Sequence, residues 1–355
     1  MTSIFRLLGG LATRAVTAGL ILAFSVGVGL AASDEALLSG SDRLLFATLG
    51  RDRPDGGADL YRQIGFGFGL GYQDHAEPLM TALWLGPVLY WDPNVNNGLS
   101  RDRLVISEME FLLPSEMVAR DGIVYGFEAG ANQRWAVAPG LTLQPELGLS
   151  LTNADAWDES AKAARASLCA VRTIEAGRWT TLCLQQSHYS GGASQTINQT
   201  DLLIGQDVFL GGTAGGTAHL LGVTAWRSFL PEGHRDSVGL RLVSAWPGFG
   251  STDLNVEVGS RLPEVESRTR YVGASVTKIL LGRPTEFTAF ADKREGGHFL
   301  GEIVVEHGVG IGFARPINDR LKIEVMAEKS RSNADAYDSS GISVRFMMPS
   351  PSFYC

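Results

Sequence analysis

Beyond residue 32 the chain of 355 residues has no run of 18 apolar residues, so no segment there can cross a membrane as a helix. Charge is scarce too. Only 19% of residues are charged, against roughly 25% in a typical soluble protein, which is little polar surface for two or three soluble domains. The formal net charge of −8 argues against a protein built to grip nucleic acid. There are three cysteines, no C-x-x-C pair, and six histidines without metal-ligand spacing, so no metal or other cofactor is expected. A hydrophobic content of 45% rules out a disordered chain. What is abundant is glycine, at 43 residues, and no three-residue period makes it collagen-like.

The first 32 residues read as a secretory signal peptide. Arg6 and Arg14 carry positive charge, Ala15 to Leu30 is apolar apart from Thr17 and Ser25, and small residues Gly29, Ala31 and Ala32 follow. Residues 33–56 are expected to form a short periplasmic or lumenal leader, 57–348 a barrel and 349–355 a C-terminal extension.

The rest of the chain alternates. Leu141, Leu143, Pro145, Leu147, Leu149 and Leu151 take every second position, with Thr142, Gln144, Glu146, Gly148 and Ser150 between them. Ile64–Tyr72, Val305–Phe313, Leu321–Ala327 and Ile342–Phe346 follow the same rule. Period two means strand. One face is large and apolar, the other Gly, Ser, Thr or charged. In a membrane barrel the large residues meet lipid and the small or charged ones meet a wet lumen. Tyr90, Trp91, Trp135, Trp179, Tyr189, Trp226, Trp246 and Tyr271 suit interfacial girdles. Short turns are expected near 136–140, 174–178, 211–217, 247–252, 281–285 and 315–320. Longer loops are expected near 113–122, 152–160, 190–200, 229–237, 259–270 and 330–338. The Asn-rich stretch 92–102 breaks that order as a long turn on the short side. The fold class is all-β: a transmembrane antiparallel up-and-down β-barrel of about fourteen to sixteen strands.

Cys169 and Cys183 flank a turn centred on Ala176. In a symmetric hairpin they face each other, and the same register pairs Ser167 with Gln185 and Leu168 with Leu184. Polar meets polar and apolar meets apolar, so a cross-strand disulfide facing the lumen, or two thiols in contact there, is predicted. Cys355 has no evident partner in the sequence.

Charges on the small-residue faces would line that lumen: Arg62, Glu146, Arg165, Arg241, Glu257, Glu302, Glu306, Lys322, Glu324 and Arg345. Their signs are mixed, giving no ion preference. One enzyme alternative is present. His188 and Ser190 share a strand face at a strand end, as in outer-membrane lipid hydrolases, with Glu159 or Asp201 as a third group to orient the histidine. Such hydrolases carry Asn after the Ser, where this chain has Gly191. The glycines Gly65–Gly71 lack the strand–turn–helix context of a phosphate-binding loop. The acids Asp155, Asp158 and Glu159 read as a solvated loop.

Near the end, Phe287-Thr288-Ala289-Phe290-Ala291-Asp292-Lys293-Arg294-Glu295-Gly296-Gly297 precedes Phe313-Ala314-Arg315-Pro316-Ile317-Asn318-Asp319-Arg320. Then come Ser332-Asn333-Ala334-Asp335-Ala336-Tyr337-Asp338 and a final strand to Phe346. These hairpins resemble the barrel domain of surface lipoprotein assembly modifiers. The resemblance implies an outer-membrane barrel that moves lipoproteins to the cell surface.

Together these readings predict a barrel in the outer membrane of a Gram-negative bacterium that passes something through its lumen. It would be a porin-like channel or an export conduit for lipoprotein or polymer. Its expected partners are outer-membrane lipids, the barrel-assembly machinery and an exported cargo, with no nucleic acid. A lipid hydrolase using His188 and Ser190, or a closed structural or adhesion barrel, are the alternatives.

Overall fold

A lipid-facing wall needs every backbone polar group paired within the sheet, and a closed sheet is the strand solution. The computed structural model has that form. It describes residues 32–52, 68–69, 74–96, 98–106, 109–155, 159–175, 177–191, 195–212, 216–262, 264–318, 321–334 and 337–347. Apart from Ala32, the expected signal peptide lies outside these residues, as do Arg62 and the extension 349–355 with Cys355.

Among the described residues two helices come first, α1 (Ala32–Leu38) and α2 (Asp42–Asp52). Strand β1 (Glu77–Asp92) opens the wall. A hairpin of β2 (Arg103–Ile106) and β3 (Met109–Leu112) stands apart from it as a two-stranded sheet. The wall then continues through β4 (Gly122–Ala138), β5 (Leu141–Ala154), β6 (Glu159–Glu175), β7 (Arg178–Gly191) and β8 (Gln195–Gly212). Next come β9 (Ala218–Leu230), β10 (Gly233–Trp246), β11 (Gly250–Gly259) and β12 (Ser267–Leu280). The last four are β13 (Arg283–Phe299), β14 (Glu302–Asn318), β15 (Leu321–Ser332) and β16 (Ser339–Met347). Each wall strand pairs antiparallel with its chain neighbour, and β1 closes on β16 through Leu89↔Phe346, Tyr90↔Arg345 and Trp91↔Val344. The closed barrel has fourteen strands.

Two expectations are corrected here. Residues 103–112, which lie between the long turn expected at 92–102 and the loop expected at 113–122, form the β2–β3 hairpin and not a wall strand, so β1 and β4 pair directly from Glu77↔Ala136 to Asp92↔Gly122. The stretch 93–121 is therefore one long loop on the long-loop side, and the irregularity at 92–102 disappears. Its asparagines hold that loop: the Asn96 Nδ2 amide donates to the Val118 carbonyl at 2.8 Å, and Gly98 N–H donates to Asn94 Oδ1 at 2.8 Å. The strand expected over Ile64–Tyr72 falls mostly outside the described residues. Phe68 and Gly69 within it form a turn, with Gly69 at φ 72° and its carbonyl accepting from Gly140 N–H at 3.0 Å.

Burial is inverted relative to a soluble protein. Leu83 and Leu85 are each 70% exposed and Ile311 66%, all on the outer face. Such a belt suits hydrocarbon as solvent. Inward glycines make room for neighbouring rings. A Cβ on Gly310 would lie 2.3 Å from the Phe290 ring, and one on Gly130 would lie 2.0 Å from the Trp84 ring. Of the aromatic residues expected in girdles, Trp91, Trp135 and Trp246 are on the outer face by register, whereas Tyr90, Trp179, Tyr189, Trp226 and Tyr271 point inward. Alternation decides their face, and ring chemistry does not override it. The loop pattern also shifts: 229–237 is no long loop, because Leu230 and Gly233 pair across a two-residue turn.

Candidate functional site

The short-turn mouth of the barrel is filled by α1 and α2. Ser41 caps α2, its Oγ accepting from Leu44 N–H at 3.2 Å. The helix then buries Leu44, Leu45, Phe46 and Leu49. They pack with Phe68 and with wall residues next to the short turns: Val171, Trp179, Leu220 and Val243. Trp179 is fully buried, with ring centroids 6.4 Å from Phe46 and 5.6 Å from Phe68. These wall residues are large apolar side chains on the inner face, close to the short turns. A plug explains them.

Polar contacts fix the plug to several strands. Arg43 forms an ion pair with Asp207 on β8 and donates to Thr181 Oγ1 on β7 at 2.8 Å. Asp42 pairs with Arg134 on β4 at 3.4 Å. Glu35 Oε1 on α1 accepts from Gly248 N–H in the β10–β11 turn at 2.8 Å. Burial, followed by the nearby Arg134, pushes the Arg43 pKa down to about 10. The guanidinium stays charged at neutral pH. Beside it lies a cavity of about 320 Å³, whose lining includes Asp42, Arg43, Arg134, Gln144, Asp207 and Arg241.

The rest of the inner wall is charged. Arg165 lies 3.6 Å from Glu146, and Arg241 2.5 Å from Asp253. Both arginines keep about half of their side-chain surface exposed. Glu257 is buried between Arg235 and Arg268, 2.6 Å from each. Glu306 is buried and accepts from Ser330 Oγ at 3.1 Å. Glu324 and Arg345 are cross-strand partners, and the Arg345 guanidinium stacks 5.1 Å over the Tyr90 ring. Lys322 and Glu324 line a smaller cavity of about 210 Å³ near the short-turn end. Glu302 sits exposed at the opposite rim, opposite Phe299. The sequence did not single out Arg43, Asp207, Arg134, Arg235 or Asp253. Alternation could have placed the last four on the inner face, whereas Arg43 needed the plug.

Cys169 and Cys183 are joined, with S–S 2.09 Å and Cα–Cα 4.0 Å, in the register Ser167↔Gln185 and Leu168↔Leu184. They lie on the inner face, since Leu168, Leu182 and Leu184 are exposed outside.

His188 and Ser190 sit on the outer face near the long-loop rim, not in the lumen. Asp201, a candidate to orient His188, is on the opposite face and accepts from Gln185 and Gln199 at 3.3 and 2.8 Å. That pairing is corrected, because residues of opposite parity on facing strands cannot meet. The Glu159 side chain lies outside what is described. The group that meets His188 Nδ1 is Asn198 Oδ1, at 2.8 Å. The symmetric-hairpin rule that pairs the cysteines would also have found His188↔Asn198.

No protein family matches the chain, and no curated protein does. Solved structures share its general form. Pseudomonas putida OprB matches with 7% identity over 78% of this chain and 94% of that one, at a TM-score of 0.44. Pseudomonas aeruginosa OccK9 (OpdG) matches with 10% identity over 75% and 97%, at 0.41. A bacterial polysaccharide outer membrane secretin matches with 11% identity over 78% and 97%, at 0.38. At such values the likeness is one of fold, and no function is carried over from it. It lends no support to the resemblance of the last hairpins to surface lipoprotein assembly modifiers.

Proposed function

We propose that the chain is an outer-membrane conduit of a Gram-negative bacterium, closed at its periplasmic mouth by its own N-terminal helices. In bacterial outer-membrane barrels the short turns face the periplasm, which puts α1 and α2 on that side. The plug carries this reading. It is held by side-chain contacts and apolar packing and is not a strand of the wall, so it can leave without opening the sheet. Above it the inward Arg165 is half exposed, as a water-lined group would be, and so is Arg241 beside the plug. The lumenal charges are cross-paired and of both signs, which suits a hydrated path without strong ion preference. Outer-membrane lipids and the barrel-assembly machinery are its partners in this reading. A lipoprotein or polymer is the cargo class if the path serves export, and small solutes are if it serves uptake.

Planar-bilayer recording tests the proposal. The full chain is expected to show low, flickering conductance, and a variant lacking residues 33–52 a large and steady one. Silence from both, with both variants folded, would reject a conduit in favour of a structural or adhesion barrel.

A further inference from the structure

The outer wall carries a second constellation, separate from the lumen. On β7 the outward residues change from Leu182 and Leu184, both at least half exposed, to Gln186, His188 and Ser190. On β8 they change from Ile204 and Leu202 to Thr200, Asn198 and Thr196. The pairs Leu184↔Leu202 and Gln186↔Thr200 place both changes at one level. A strand rising ~3.3 Å per residue with a tilt of ~40° gains ~2.5 Å along the membrane normal, so a belt ~25 Å tall takes about ten residues. Counted from the turn at Gly177, the belt ends close to His188. The polar cluster therefore sits where the outer leaflet's acyl chains end and its ester linkages begin.

Within it, His188 Nδ1 lies 2.8 Å from Asn198 Oδ1, its directly paired neighbour across the strands. An amide oxygen there accepts the Nδ1 proton, which leaves the lone pair on Nε2. That is the tautomer a general base requires, and Asn fills this role beside a catalytic Cys–His pair elsewhere. Ser190 follows two residues on, so its hydroxyl shares the outer face with the imidazole. A nucleophile–base contact of this kind often closes only when substrate binds. Lys162, exposed and directly opposite Ser190, adds a cation for an anionic headgroup.

From this geometry we infer that Ser190, His188 and Asn198 form a hydrolase site on the outer wall for acyl esters of outer-leaflet lipids. Ser190 Oγ attacks the ester carbonyl carbon while His188 Nε2 takes its proton. The carbonyl–alkoxy bond breaks, the proton passes to the departing alcohol, and the acyl group stays on Ser190. Water, deprotonated by the same nitrogen, then releases the fatty acid and restores the serine. Asn198 is a positioning residue, and Lys162 binds the headgroup. The inference rests on the membrane placement proposed above but not on conduction through the lumen.

The test uses the full chain in phosphatidylethanolamine–phosphatidylglycerol vesicles and, in a second arm, in vesicles containing hexa-acylated lipid A. Fatty-acid release in the first arm identifies glycerophospholipid as the ester source, and release in the second identifies lipid A. Ser190→Ala is expected to lose roughly a thousandfold or more of the rate, with bilayer conductance and the heat-dependent gel shift of the folded barrel unchanged. Asn198→Ala is expected to lose roughly tenfold to a hundredfold. Asn198→Asp restores most of that, with the acid limb of its pH profile moved upward, because a carboxylate favours the imidazolium. A fluorophosphonate probe labels Ser190. The inference is overturned if the wild type releases no more than Ser190→Ala in both arms, or if Asn198→Asp behaves as Asn198→Ala does.

Discussion

Arg43 on α2 and Asp207 on β8 form an ion pair that joins the plug to the wall at a level where each side chain keeps less than a quarter of its surface exposed. Thr181 Oγ1 accepts a further hydrogen bond from the same guanidinium. This cluster is the most polar part of an otherwise apolar seat built on Trp179 and Leu44. It therefore sets the orientation of the plug, while the rings and leucines supply most of the burial.

Removing one partner of such a pair leaves the other charge desolvated and alone. Breaking a fully buried pair costs about 3–5 kcal/mol, and the partial exposure here reduces that to about 2 kcal/mol. At 1.4 kcal/mol per factor of ten, Asp207→Asn should shift the closed-to-open ratio of the plug about thirtyfold toward open. Single-channel open probability reads this directly. The exchange Arg43→Asp with Asp207→Arg should recover closure in part. If Asp207→Asn gates like the wild type, the ion pair does not hold the plug.

The Cys169–Cys183 bond closes a loop of fourteen positions within one hairpin. By chain entropy such a loop stabilises the folded state by roughly 3 kcal/mol. The wall hydrogen bonds of β6 and β7 survive reduction, so the barrel should stay closed and keep its conductance while its urea midpoint falls. The double variant Cys169→Ala, Cys183→Ala should match the reduced wild type. A midpoint that does not respond to reductant would show that the bond adds nothing to stability.

Much of the wall is legible in the sequence because two solvents act on opposite faces of each strand. Lipid selects Leu147 and Leu149, and the lumen selects Glu146 and Gly148, so a one-residue slip would put charge into hydrocarbon. The cysteine register and all six short turns follow from the same constraint. It weakens where neither solvent is involved. Residues 103–112 hold apolar residues such as Leu104 and Phe111 within strand length, and a hairpin apart from the wall accommodates them as a wall strand would. The plug is illegible for another reason. Leu44, Leu45, Phe46 and Leu49 show a helical stripe, but its partner is spread over β6, β7, β9 and β10 and exists only after closure. Asn198 was within reach. It lies opposite His188 by simple hairpin arithmetic, whereas the acid Asp201 falls on the other face.

Glu257 supplies the last prediction. Its carboxylate is 4% exposed and takes one guanidinium on each oxygen: Arg235 on Oε1 and Arg268 on Oε2, both at 2.6 Å. The three side chains come from β10, β11 and β12, so the anion ties adjacent strands together on the lumen side. Arg268 is also held by the Tyr271 ring, 4.4 Å below its guanidinium, whereas Arg235 is almost as buried as the acid. Glu257→Gln keeps the shape but leaves two cations facing a neutral amide. Glu257→Ala also removes the acceptor, and by the cost of an uncompensated buried charge it should destabilise the barrel by about 3 kcal/mol. Arg268→Ala should cost less, since that side chain is 44% exposed and Arg235 remains to neutralise the acid. The expected order in urea unfolding is therefore wild type, Arg268→Ala, Glu257→Gln, Glu257→Ala. If Arg268→Ala were the most damaging of the three, stacking on Tyr271 would outweigh the buried carboxylate in joining these strands.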